Sequence, residues 1–164
     1  MKTPAHWAVY AAGFLAINLV VAPGLFWLAA AAARALARLQ VPVNRLFVDY
    51  AYSLVPMGLM GWIAFSFSFV FVNGSYAVSV LSDPFGWGWD LFGTRSLPWT
   101  PILPGLVAVL QVGLLLAGLI FSIFIAYRIG RQHAHSEAQA WRAALPVSAF
   151  LAGVTLVFVR LYLG

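Results

Sequence analysis

Residues 102–127 read ILPGLVAVLQVGLLLAGLIFSIFIAY. Nothing in this run is charged, and its polar interior amounts to Gln111 and Ser122. About 20 apolar residues in a helix cross the roughly 30 Å hydrocarbon layer of a bilayer. A helix is required there because each backbone N–H and C=O must find its partner within the segment. The run is therefore read as a membrane span. Three others share its character: residues 7–33, interrupted by Asn18 and Pro23; residues 47–72, containing Pro56; and residues 143–163. The expected fold is all-α, an integral membrane four-helix bundle forming one membrane domain over residues 1–164. A Trp/Gly-rich outer loop is expected at about 73–101.

Composition points the same way. The chain is 63% hydrophobic and 8% charged, whereas a soluble domain carries about 25% charged residues. Too little polar surface exists to cover a water-facing globule, and the length leaves no room for a separate soluble domain. The run 7–33 exceeds the apolar core of a signal peptide, about 7–15 residues, although Ala29–Ala33 offers a small-residue cleavage-like sequence. Cysteine is absent, which excludes disulfides, thiolate zinc and Cys-ligated iron–sulphur clusters within this chain.

The net charge of +5 does not indicate nucleic acid, because no basic stripe with interleaved aromatics lies outside the spans. It indicates topology instead. The two short loops hold Arg34, Arg38, Arg45, Arg128, Arg131 and Arg142, and the opposite side holds Lys2, Arg95 and Arg160. This bias places the short loops in the cytoplasm. Both termini and the long loop then lie outside it, in a bacterial inner membrane.

Helices in lipid associate through small residues on one face. Gly118, Ser122, Ala126 and Gly130 recur at intervals of four in the third span, Ala8, Ala12 and Ala16 in the first, and Ala149 and Gly153 in the fourth. These stripes suit packing within the bundle or against another subunit. Pro23 and Pro56 are expected to kink their helices.

Chemistry-bearing residues concentrate in Asp83-Pro84-Phe85-Gly86-Trp87-Gly88-Trp89-Asp90-Leu91-Phe92-Gly93-Thr94, followed by Pro98-Trp99-Thr100-Pro101. Gly alternating with Trp lets the backbone turn while presenting large rings that favour the headgroup level. The simpler reading is an interfacial lid; the functional one is a docking surface or the wall of a quinone site. Trp87, Trp89, Asp90, Trp99 and Asp83 are the candidates, with His6 as a proton-exchanging neighbour. Asp83 and Asp90 are proton acceptors, partners of Arg95, or simple capping residues. No catalytic residue and no metal centre is expected.

On the opposite side, His133 and Glu137 are spaced for an i,i+4 pair, as are Arg45 and Asp49. His133-x-His135 suits a metal only on an extended backbone. With His6 on one side and His133 and His135 on the other, this chain alone does not bracket a haem. Polar groups in the spans are few (Asn18, Ser66, Ser68, Gln111, Ser122), and the charged ones, Asp49 and Arg160, lie near span ends. A transporter therefore ranks last, because the membrane core lacks a charged relay.

The stretch Leu54–Pro101, with Asn73-Gly74-Ser75-Tyr76 and the Asp83–Thr94 run, and the close from Ala144-Leu145-Pro146 to Gly164, resemble the membrane region of bacterial membrane-bound 4Fe–4S (polyferredoxin-type) proteins associated with quinol oxidation. This sequence lacks that family's cysteine motifs, so no cluster-binding residue carries over. The resemblance implies a membrane subunit of a respiratory or electron-transfer complex. It would anchor membrane or periplasmic redox subunits that hold haem or Fe–S centres. The chain would bind no cofactor alone, with a quinone or lipid at an interface. An assembly factor or structural scaffold without a redox role is the rival reading.

Overall fold

The computed structural model describes residues 4–102 and 104–163; every regular element among them is helical, and no strand occurs. Lys2, used above for topology, lies outside the described residues. The elements are α1 (Pro4–Ala16), a π-helical turn (Ile17–Val21), α2 (Ala22–Ala37), α3 (Val43–Ala51), α4 (Leu54–Ser82), α5 (Pro104–His133) and α6 (Glu137–Leu163). Four stretches are long and apolar enough to cross a membrane: His6–Ala37, Val43–Ser82, Gly105–His133 and Glu137–Leu163. The chain is an all-α, multi-pass membrane protein, and it contacts lipid.

The two expected kinks take different forms. Pro23 has no N–H, and in an α-helix its ring would press on the carbonyl of Leu19. The chain widens just before it into the π turn, and the Ala22 N–H bonds to Ile17 O, five residues back. Asn18 Nδ2 donates to Phe14 O at 2.8 Å, so the polar amide inside this span is satisfied by its own helix. Pro56 causes no internal kink. The helix breaks earlier, at Tyr52–Ser53, where the Ser53 N–H and hydroxyl both donate to Tyr50 O at 2.9 and 2.6 Å. That leaves Pro56 in the first turn of α4, where a missing N–H costs nothing.

The chain divides into two compact units, residues 1–55 with 121–154 and residues 56–120 with 155–164. The first is built on small residues. Ala30, Ala33 and Ala37 of α2 and Ala140, Ala143 and Ala144 of α6 are buried. Phe26 sits 5.4 Å from Phe47 and 5.3 Å from Phe150, ring to ring. Gly130 is required by its neighbour: a Cβ there would stand 2.8 Å from the backbone carbonyl of Ala140. Tyr50 is wholly buried against it, with a hydroxyl that has no hydrogen-bond partner among the described residues.

In the second unit, α5 meets α4 through Gly118, where a Cβ would come within 2.9 Å of Met60 Cβ. One polar clamp crosses the same pair. Buried Gln111 donates from Nε2 to Ala64 O at 2.9 Å and to Ser68 Oγ at 2.7 Å. Thr155 donates its hydroxyl to Met57 Sδ at 3.5 Å.

Candidate functional site

The segment expected to begin the outer loop at about residue 73 starts instead as helix, since α4 runs on to Ser82. Asn73 to Ser82 are its last turns, and the irregular chain begins at Asp83. Asp83 stands just past a helix C-terminus, the negative end of the macrodipole, where a carboxylate is unfavourable. Backbone donors offset this: Oδ1 accepts the Trp87 N–H at 2.9 Å and Oδ2 the Gly88 N–H at 3.0 Å. The Arg95 guanidinium lies 3.5 Å from Oδ2.

The turn so formed needs left-handed backbone at Gly86 and Gly88, with φ of +68° and +88°, which only glycine adopts without cost. The residues between and beside them throw their rings together. Phe85 stacks on Trp87 at 4.9 Å, and Trp89 meets Trp87 edge-on at 5.1 Å and Phe85 at 5.9 Å. All three rings are exposed, Trp87 the most, at 68%.

Ser82, the last residue of α4, holds the second half of the loop. Its hydroxyl donates to Asp90 Oδ1 at 2.7 Å and accepts the Phe92 N–H at 3.1 Å, while its carbonyl accepts the Leu91 N–H at 3.2 Å. Asp90 Oδ1 also accepts the Arg95 N–H at 3.1 Å. The Ser82 hydroxyl first, then the Arg95 N–H, holds the Asp90 carboxyl below the usual carboxylate range. Hydrogen bonds to the charged form do this, and they make Asp90 a poor proton acceptor near neutral pH.

Beyond Arg95 the chain returns along α4 as a strap. Thr94 donates its hydroxyl to Val78 O, Ser79 donates to Leu97 O, and the Thr100 N–H donates to Ser75 Oγ, at 3.0, 3.2 and 3.1 Å. Trp99 Nε1 donates to Val72 O at 2.9 Å and the Ile102 N–H to Phe71 O at 2.8 Å. The bonds descend α4 from residue 82 to residue 71. Gly74 allows the approach, because a Cβ there would lie 3.3 Å from Ile102 Cδ1.

The candidate residues thus fall into separate settings. Trp87 and Trp89 share the exposed ring cluster, with Phe85 as a third member. Its signal was the i, i+2, i+4 repeat in Phe85-Gly86-Trp87-Gly88-Trp89. Trp99 is anchored to α4 by its own N–H. Asp83 and Asp90 brace the loop. His6 lies exposed on α1 and belongs to the first unit, whereas the loop belongs to the second. The small-residue positions Gly118, Ser122, Ala126 and Gly130 are all buried.

At the short-loop end, in the first unit, the polar side-chain pairs include ones that the sequence spacing did not suggest. His133 Nε2 lies 2.9 Å from Asp49 Oδ2, and Glu137 pairs with Arg131 at 3.6 Å. The reason is that α5 ends at His133 and α6 starts at Glu137, so these two do not share a helix and the i,i+4 geometry is lost. Gln139 escaped notice in the sequence. Its Nε2 donates to Ala37 O at 2.8 Å, its Oε1 accepts the His135 N–H at 2.8 Å, and its own N–H donates to Ser136 Oγ at 3.2 Å. The Ser136-x-x-Gln139 capping signature announced that start of α6. No group of three His, Cys, Asp or Glu placed to hold a metal occurs among the described residues. No protein-family model, curated protein or solved structure matches the chain.

Proposed function

We propose that this chain is a membrane-anchoring subunit that docks a partner protein through the loop Asp83–Pro101, the partner being a redox subunit of a respiratory complex. The braced ring cluster Phe85–Trp87–Trp89 carries the docking part of this reading. Exposed aromatics that pack on one another, on a loop whose backbone is held by hydrogen bonds, lose less conformational entropy when buried by a partner. The redox identity of the partner rests on the resemblance of the loop and the C-terminal stretch to membrane regions of quinol-oxidation proteins. In this reading the loop faces the outside of a bacterial inner membrane and the arginine-rich short loops face the cytoplasm.

The rival, a scaffold or assembly factor without a redox role, draws support from the carboxylates. Asp83 and Asp90 are engaged by N–H groups, a hydroxyl and Arg95, which suits bracing better than proton exchange with a quinol.

Affinity purification in mild detergent, with optical spectra and mass spectrometry of everything retained, tests both. Stoichiometric haem or iron–sulphur subunits, lost on Trp87→Ala with Trp89→Ala, are the expected result. Retention of colourless partners alone selects the scaffold. A partner-free, colourless chain sinks the docking reading altogether.

A further inference from the structure

We propose that the short-loop end of the first unit binds the phosphate headgroup of an anionic phospholipid in the cleft between Arg38 and Arg142. The cleft has a volume of roughly 440 Å³ and is lined by Leu36, Arg38, Ser136, Gln139 and Arg142 with two alanines. It opens at the last residues of one span, His6–Ala37, and the first of another, Glu137–Leu163. Span ends are where headgroups lie.

Its charge is uncompensated from within. The carboxylates of this unit are Asp49 and Glu137, and they face His133 and Arg131. Arg38 and Arg142 are left without a carboxylate among the described residues. Guanidinium forks match phosphate oxygens in geometry, and basic pockets between membrane helices take anionic headgroups.

The two arginines come from different elements, which the Gln139 Nε2 bond to Ala37 O at 2.8 Å ties together beside the cleft. Ser136 Oγ already accepts the Gln139 N–H, which leaves its own proton to donate. Leu36, on the same wall, is exposed and offers an apolar surface to an acyl chain.

Arg38 occupies a position where its side chain is an expense to the fold. It ends α2 in a left-handed conformation, φ +52°, with its N–H on Ala35 O and the Leu39 N–H on Arg34 O. Glycine is the usual residue in this capping motif. The backbone would be served better by glycine, so the guanidinium is what the position gains. This assignment is independent of the docking role of the outer loop.

The test is native mass spectrometry of the purified full chain, exchanged into mixtures of phosphatidylglycerol and phosphatidylcholine. Wild type should retain phosphatidylglycerol preferentially. Arg38→Gly and Arg142→Gln should each lower that preference about fivefold, the effect of about 1 kcal/mol per arginine. Arg160→Gln, in the other unit, should leave it unchanged. Arg38→Gly should also raise the thermal midpoint, so lost lipid cannot be attributed to misfolding. Equal retention of the two lipids, or an unchanged preference in both cleft variants, would overturn the proposal. Displacement of the lipid by millimolar inorganic phosphate would overturn it too, by reassigning the cleft to a soluble anion.

Discussion

Gln111 of α5 reaches across to α4 and donates its side-chain amide to the backbone carbonyl of Ala64 at 2.9 Å, sharing the same nitrogen with Ser68 Oγ at 2.7 Å. It is the polar clamp of the second unit, set among apolar residues of two spans. Hydrogen bonds between membrane helices average about 0.6 kcal/mol and reach about 1.7. Gln111→Leu is expected to destabilise the protein within that range, measured by denaturation in mixed micelles. A loss well above it would mean that Gln111 has a further role.

Gly130 and Gly153 make a matched pair of probes. A Cβ at Gly130 meets the Ala140 carbonyl at 2.8 Å, whereas one at Gly153 meets nothing within 4 Å. Backbone does not move aside as a side chain can. Gly130→Ala should therefore cost about 1–3 kcal/mol, the usual penalty of overpacking, and Gly153→Ala should be neutral or slightly stabilising. Thermal midpoints of the two variants in one detergent decide this.

Tyr50 buries a hydroxyl with no partner among the described residues. An unmet buried polar group costs about 1–3 kcal/mol. Tyr50→Phe keeps the ring and removes the hydroxyl, so it should raise stability by roughly 1 kcal/mol. A fall in stability would show that the hydroxyl is met by water.

Asp90 gives the loop Asp83–Pro101 a pH dependence whose sign follows from its hydrogen bonds. Its folded pKa is depressed, chiefly by the Ser82 hydroxyl and then the Arg95 N–H. Its contribution is therefore complete above the unfolded value, about 3.9, and is lost as pH falls through the lower folded value. Tryptophan emission from the loop should hold constant from neutral pH down to about 4 and change below it. Ser82→Ala should move that change to higher pH. A change centred near neutrality would contradict the assignment.

Much of this was legible in the chain itself, for local reasons. A run such as 102–127 has no charge to place in water, so it must be a span wherever it sits. The Gly–Trp alternation likewise announced a tight turn presenting rings. The start of the loop was misplaced by about ten residues because Asn73-Gly74-Ser75-Tyr76 reads as loop by composition. There its polar groups serve the strap instead, Ser75 accepting the Thr100 N–H, and the helix continues to Ser82.

Pairings at the short-loop end were beyond reach of spacing. His133 is 84 positions from Asp49, and no periodicity links them; the His133–Glu137 pair suggested by the sequence failed because a helix ended between the two residues. Asp83 and Asp90 differ: the sequence already offered Arg95 as a partner, and their donors are near in the chain, Trp87 and Gly88 for Asp83 and Ser82 and Arg95 for Asp90.

Hydropathy and glycine chemistry act over a few neighbouring residues, so the order of residues alone establishes an all-helical, four-span membrane protein with an aromatic loop. Which polar groups remain available is settled partly nearby, as Phe14 O takes the Asn18 amide, and partly by the folded arrangement. A donor or acceptor is spent or spared by partners that folding brings from distant parts of the chain, as Gln139 to Ala37 shows.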